Sequence, residues 1–545
     1  MSSATIPRAG GKMISRMPPA LLLVASTLLA QQAPAPPPLY TNLGTHHRDI
    51  GTRVPQAQQY FDQGLRLVYG FNHAEAIRSF TRATELDTTC AMCWWGIAYA
   101  YGPHVNAGMD SASGVKAYAA AQKAVSLSRG ASPWQRAYVR AVAARYAPVP
   151  PAKRADLDSA YSRGMADVVR RYPNDLDAAA LYAESMMDLR PWNYWKPDGK
   201  PYPGTQEIVR QLQRVIARNP EHPGACHYYI HAVEAVNPQL AIPCAERLAR
   251  LMPGVGHMVH MPAHIYIRVG RYNDAAASNV HAIHTDEEFI EGQKPVTVYS
   301  LAYYPHNIHF LAFASTMAGR SAQAIEAART LKSKVNLDVA RQVSMLQEML
   351  PYYALTLTTF GRWDDVLAEP LPPSDIRMPL AMAYYARGVA YAAKGQPAEA
   401  QTALDTVKAI DAATPADAPA KTPVSIAVHA LMGEIATRSG KLDEGIAHFR
   451  EALKIEDAGL YFEPPKWYYP IRQSLGAALL KAGQDAQAEA VYREDLKRFP
   501  ENGWSLFGLA AALRAQGKSA EAAAVDRRFA KAWSAADVTL TASRF

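Results

Sequence analysis

Cysteine is scarce, with four residues in a chain of 545, and no second C-x-x-C accompanies the pair Cys90 and Cys93. A zinc ribbon and a small fold stapled mainly by disulfides are therefore excluded. The residue after Cys93 is Trp94, so the haem-attachment form that ends in histidine is excluded too. Also missing are the G-x-S-x-G elbow, the Walker loop, the dinucleotide fingerprint and H-E-x-x-H, which leaves common hydrolase, nucleotide and metalloprotease chemistries without their motifs. Lys and Arg are scattered, with no basic run and no RNP-type aromatic motif. Nucleic acid is not an expected partner.

What is present begins with a leader. Arg8, Lys12 and Arg16 precede the apolar run ALLLVASTLLA from Ala20 to Ala30. That run is too short to span a bilayer and has the length of a signal h-region, so residues 1–30 are expected to be a signal peptide. The expected destination is the periplasm or the outside of the cell, with no transmembrane segment after cleavage. Loss of the leader removes three basic residues from a net charge of +8. Residues 31–55 begin with Gln31 and soon reach APAPPP, which cannot form a regular helix and reads as a tether. In an exported chain Cys90 with Cys93, and Cys226 with Cys244, are candidate disulfide pairs, although Cys226 also fits a buried thiol.

Beyond residue 55 the chain repeats. Gly483 and Gly517 lie 34 residues apart, and each is followed five residues later by an alanine, Ala488 and Ala522. Glycine accepts the backbone geometry that ends one helix, and alanine lets the next helix approach closely. GRYNDA, GRSAQA, GRWDDV, GQPAEA and GKLDEG repeat the turn at Gly270, Gly319, Gly361, Gly395 and Gly440. Near the start, AQQYFDQGLRLVYGFNHAEAIRSFTRATELD carries Gly64, Ala76, Phe80 and Ala83. This pattern resembles the tetratricopeptide repeat family, across roughly residues 57–535. The resemblance implies an all-α, right-handed α-α solenoid of about ten helix pairs, divided as a histidine-bearing array over 56–330, a second array over 331–535 and a tail at 536–545.

The family also implies a register, in which positions 2, 5, 9 and 12 of each first helix face the concave groove. Counted from Pro220, Pro253 and the turn glycines, His227, His231, His257, His260, His264, His306 and His309 all fall on groove positions, with Glu234 at position 12. Helix geometry agrees independently, since residues three, four and seven apart share a face. Glu184 and Asp188, on the preceding unit, are expected to flank the patch, while later units offer no histidines there. Pro262 stands between His260 and His264 and is expected to kink their helix.

Imidazole is the commonest protein ligand for zinc, copper and iron, and two histidines four apart on a helix can share one ion. These seven histidines are therefore candidate ligands for a transition metal such as Zn, Cu or Fe. Glu184, Asp188 and Glu234 are the candidate ligands, second layer or general base. The same residues also fit a groove that hydrogen-bonds an acidic or aromatic ligand, or a merely polar floor. Two function classes follow. One is an exported scaffold that binds a protein or peptide in its groove and carries a metal site; the other is a metal-dependent hydrolase or oxidoreductase using the same cluster. Two aromatic, Pro-rich insertions, Arg190 to Gly204 and Leu460 to Pro470, read either as a lid over the groove or as ordinary inter-repeat loops.

Overall fold

The computed structural model describes residues 36–291, 297 and 299–545, so the proposed leader lies outside the described residues. Those residues form helices without a single strand, joined by short turns and two isolated bridges, His104 with Ala107 and Trp195 with Pro201. Each helix packs chiefly on its neighbours in sequence. The pairing runs from Pro55–Tyr69 with His73–Leu86 to Gly503–Ala515 with Ser519–Ala532. The fold is an α-α solenoid of tetratricopeptide-like helix pairs.

The turn chemistry explains the repetition. All seven glycines from Gly270 to Gly517 named above take positive φ, between 67° and 80°, where an L side chain would be strained. The residue after each glycine then returns its N–H to a carbonyl of the first helix, as Arg271 does to Tyr266 at 2.8 Å. In the first unit the corresponding position is not glycine. Phe71 occupies it at φ 56°, and Asn72 makes the matching bond to the Leu67 carbonyl.

The described part of the Pro-rich segment is a strap rather than a free tether. Tyr60 donates to the Pro37 carbonyl at 3.0 Å, and the Arg48 guanidinium pairs with Asp175 and Asp177 while lying 4.5 Å from the rings of Trp134 and Tyr138. Among the described residues no helix is long and apolar enough to cross a membrane.

Cys90 and Cys93 are joined in a disulfide. Cys226 and Cys244 are buried thiols whose sulfurs face each other at 2.6 Å between helices Pro223–Val233 and Ile242–Leu251.

Later units fold back on earlier ones. Trp504 donates from its indole to the Thr316 carbonyl at 3.0 Å, and the Arg268 guanidinium reaches the Arg498 carbonyl at 3.2 Å. The segment after residue 535 is pinned as well, because Asp537 accepts from the backbone of Ser321 and Ala322 at the start of helix Ser321–Lys334. These contacts bring the insertion at residues 460–470 onto the histidine-bearing units.

Candidate metal centre

The histidines come from four short helices. His227 and His231 lie one turn apart on Pro223–Val233, and His257 and His260 lie on Gly256–His260. His264 follows on Pro262–Arg268, and His306 begins Tyr304–Met317. Pro262 does break the helix, with Met261 at the break. The break does not part the two rings, since the Nε2 atoms of His260 and His264 are 2.8 Å apart. Six of the seven histidines gather into two triads, His227 with His231 and His257, and His260 with His264 and His306. The seventh, His309, stands apart, edge-on to Tyr352 at 4.3 Å.

The rings are not spread along an open groove. His227 and His260 are 0% exposed and Glu234 1%, while His306 is half-buried at the edge of the cluster. Burial, reinforced by neighbouring imidazoles, holds His227, His257, His260 and His306 well below the usual histidine range. Burial also lowers His231. Burial opposes a charge on His264 too, yet the carboxylates of Glu234 and Glu463 outweigh it and push this ring up to about 10. Its Nδ1 lies 2.7 Å from Glu463 and 3.0 Å from Glu234, shared between the two acids.

The outer nitrogens fix which way the inner ones face. His227 donates from Nδ1 to the Tyr69 carbonyl at 2.6 Å. His260 donates from Nδ1 to Asn279 Oδ1 at 2.7 Å, and the Asn279 amide is oriented by its own bond to the Ala275 carbonyl. His231 turns Nδ1 to Glu234 at 3.3 Å. A neutral imidazole that donates from Nδ1 has a bare lone pair at Nε2. In the first triad the Nε2 of His227 stands 3.1 Å from those of both His231 and His257. One lone pair accepts one proton, so at most one of these two contacts can be a hydrogen bond, and the other is left unsatisfied. A cation between them satisfies all three nitrogens together. Tetrahedral ligation at about 2.0–2.1 Å separates nitrogens by roughly 3.3 Å, close to the spacing here. Outer-nitrogen acceptors of this kind are the usual support for histidine ligands.

Of the three candidate carboxylates, only Glu234 reaches these imidazoles. Glu184 accepts from the Tyr99 hydroxyl at 3.0 Å, and Asp188 pairs with buried Arg145 at 2.5 Å, so neither joins a triad. A further gathering, His46 with Asp177 and His222, centres on the Asp177 carboxylate, with His222 Nε2 3.3 Å from it. Its carboxylate is surrounded by donors from Tyr69 at 2.6 Å, His46 at 2.9 Å and Arg48 at 2.9 Å, and it clasps the N-terminal strap.

Several residues of the centre carry no signal in the register. Glu463 arrives from the distant aromatic insertion, and Asn279 from the helix Tyr272–Glu291. An aromatic wall closes the rest. Phe71 lies 4.5 Å from His227, Trp192 5.0 Å from His231, Tyr303 4.6 Å from His257 and Phe310 4.8 Å from His260. Trp192 belongs to the Arg190 to Gly204 insertion, so both insertions cover the centre. Like Phe71, it holds a positive φ, 62°, a strain of about 1–3 kcal/mol that packing must offset. In principle the non-glycine residue at a turn-glycine position was readable, and so was the lone acid within LYFEPPKWYYP.

No family model matches the chain, and no curated protein matches it. Among solved structures, a human IFIT1 dimer with m7Gppp-AAAA is similar at 12% identity over 88% of this chain and 91% of that chain, with a TM-score of 0.31. A monomeric IFIT1 mutant with Gppp-AAAA is similar at 12% identity over 87% and 90%, with a TM-score of 0.33. The Naa15/Naa10 complex bound to HypK-THB is similar at 13% over 88% and 71%, with a TM-score of 0.22. At such scores the likeness carries no argument of its own, and the fold reading rests on the chain's own helix pairs and turns.

Proposed function

We propose that this chain is an exported solenoid metalloprotein whose helix pairs hold a buried transition-metal centre on two histidine triads. The observation that carries this reading is the convergence of two further Nε2 atoms at 3.1 Å on the bare Nε2 of His227, whose Nδ1 is committed to a backbone carbonyl. Glu234 and Glu463 act as outer acceptors that orient His231 and His264 and neutralise charge. The basic and apolar leader supports export. In this reading the scaffold's surface remains free to dock a protein or peptide partner.

A metal-dependent enzyme is the second reading, and one feature favours it. Three nitrogens leave a four-coordinate ion with an open position, the arrangement of catalytic rather than purely structural sites.

Elemental analysis of the chain purified from its exported location tests the proposal. The expected result is transition metal retained near two ions per chain, and its loss in a His227→Ala, His260→Ala double variant with unchanged helical circular dichroism. Metal content no higher than a chelated control, in a well-folded wild-type preparation, would sink it.

A further inference from the structure

Resting on the metal reading, we infer that the two triads hold a pair of copper(I) ions and that the ligand taken between them is dioxygen. Four observations converge on this choice. Each triad by itself offers three imidazole nitrogens, a neutral three-coordinate set that suits copper, while the neighbouring carboxylates of Glu234 and Glu463 are turned to the outer nitrogen of His264.

Charge is the second observation. The carboxylates facing the histidines are Glu234 and Glu463. With both ionised, two monovalent ions balance them, whereas two divalent ions would leave a net double positive charge in a largely buried cluster, which is costly. Arg268 points its guanidinium at the Glu234, Ala235 and Arg498 carbonyls, so it adds positive charge and sharpens the preference.

Third, the triads adjoin. The rings of His231 and His264 are 5.7 Å apart and those of His257 and His260 6.0 Å, comparable with the 6.3 Å between His231 and His257 inside one triad. Ions seated on the triads are therefore neighbours. Fourth, the surround is aromatic and mostly buried, open only toward the half-buried His306, with Phe71, Trp192, Tyr303 and Phe310 against the rings. A surface hollow lined by Ser162, Tyr182, Met186 and Arg190 contains none of the histidines. Such a centre excludes bulky substrates and favours a small apolar molecule.

The step balances without outside help. Each copper(I) gives one electron to dioxygen, the O–O double bond becomes a single bond, and one copper–oxygen bond forms at each end. No proton is taken up, and reversal returns dioxygen and two copper(I) ions.

The experiment loads the full-length exported chain anaerobically with copper(I) as its acetonitrile complex, challenges it with excess zinc, then admits dioxygen. The expected result is two coppers per chain that zinc does not displace, one dioxygen taken up per copper pair, a new charge-transfer absorption, and no paramagnetic signal. His306→Ala, a truncation at the half-buried edge, should keep one copper and lose dioxygen uptake, with folding checked by circular dichroism. The titration of the unaltered chain decides the matter even if that variant fails to fold. Two retained zinc ions with copper(I) refused would overturn the copper assignment and leave the metal reading standing. Paramagnetic, isolated copper(II) with no dioxygen bound would overturn the pairing. Retention of neither metal would overturn both readings.

Discussion

Phe71 shows how a single residue can be placed against its local preference. Every comparable turn named above uses glycine, yet here a benzyl side chain holds positive φ, and its ring contacts His227 at 4.5 Å, His104 at 4.5 Å and His257 at 5.5 Å. Two costs therefore separate on substitution. Phe71→Ala keeps the backbone strain and loses the ring, a loss of about 3–5 kcal/mol for a buried phenylalanine. Phe71→Gly loses the same ring and relieves the strain, so it should be the more stable of the two by about 1 kcal/mol. Urea midpoints should rank wild type above Phe71→Gly above Phe71→Ala; an alanine variant as stable as the glycine variant would contradict the strain argument. Residue by residue, the histidines were legible in advance because a helix of known register fixes which side chains share a face. Phe71 was visible only as a departure from the repeat. His309 satisfied the same periodicity and still stands apart, because register specifies a face and not how deeply a ring reaches along it.

At the scale of elements, the helix pairs follow from turn glycines and alanine contacts, while the joints between them decide the centre. The segment that delivers His306 is anchored by Asp286 on helix Tyr272–Glu291. Asp286 accepts from the Tyr299 hydroxyl at 2.8 Å and from the Asn307 amide at 2.7 Å, and that hydroxyl accepts from the His257 backbone N–H at 2.9 Å. Burial pushes the Asp286 carboxyl up to about 7 despite these donors. Unfolded aspartate titrates near 3.9, so between about pH 4 and pH 7 the native chain retains a proton that the unfolded chain has lost. Stability from this group is therefore greatest below about pH 4, falls across that window, and levels off above about pH 7. Burial likewise raises Glu456 to about 8 and Asp495 to about 6, so they add slopes of the same sign. Asp286→Asn isolates its own share. Its urea midpoint should decline less than that of wild type between pH 4.5 and pH 7.5, and parallel curves would show that the buried carboxyl is not the titrating group. None of this was legible in sequence, because Asp286, Tyr299 and Asn307 meet only after the chain has turned, and their pairing follows no fixed period.

For the molecule as a whole, the consequence is that a centre built by the first half is completed by the second. Glu463 lies about two hundred residues after His264, yet the two groups meet at 2.7 Å. The Arg268 to Arg498 contact and the Trp504 to Thr316 bond close the superhelix beside them. A repeat array read one unit at a time has no term for such closure, which is why sequence supplied the histidine stripes and not their carboxylate cover. Linkage then makes a demand. If an ion on His264 draws on the orientation that Glu463 imposes, ion binding must stabilise the docked insertion by the same free energy that docking adds to ion affinity. Hydrogen exchange read by mass spectrometry should therefore slow over residues 460–470 when the chain is loaded with metal, although this segment supplies no histidine. In Glu463→Gln the slowing at the insertion should largely vanish, while the helix bearing His227 and His231 stays protected by its own ion, since the outer contacts of those rings run to the Tyr69 carbonyl and Glu234. Unchanged exchange at the insertion on loading the wild-type chain would mean that the two halves touch without being coupled.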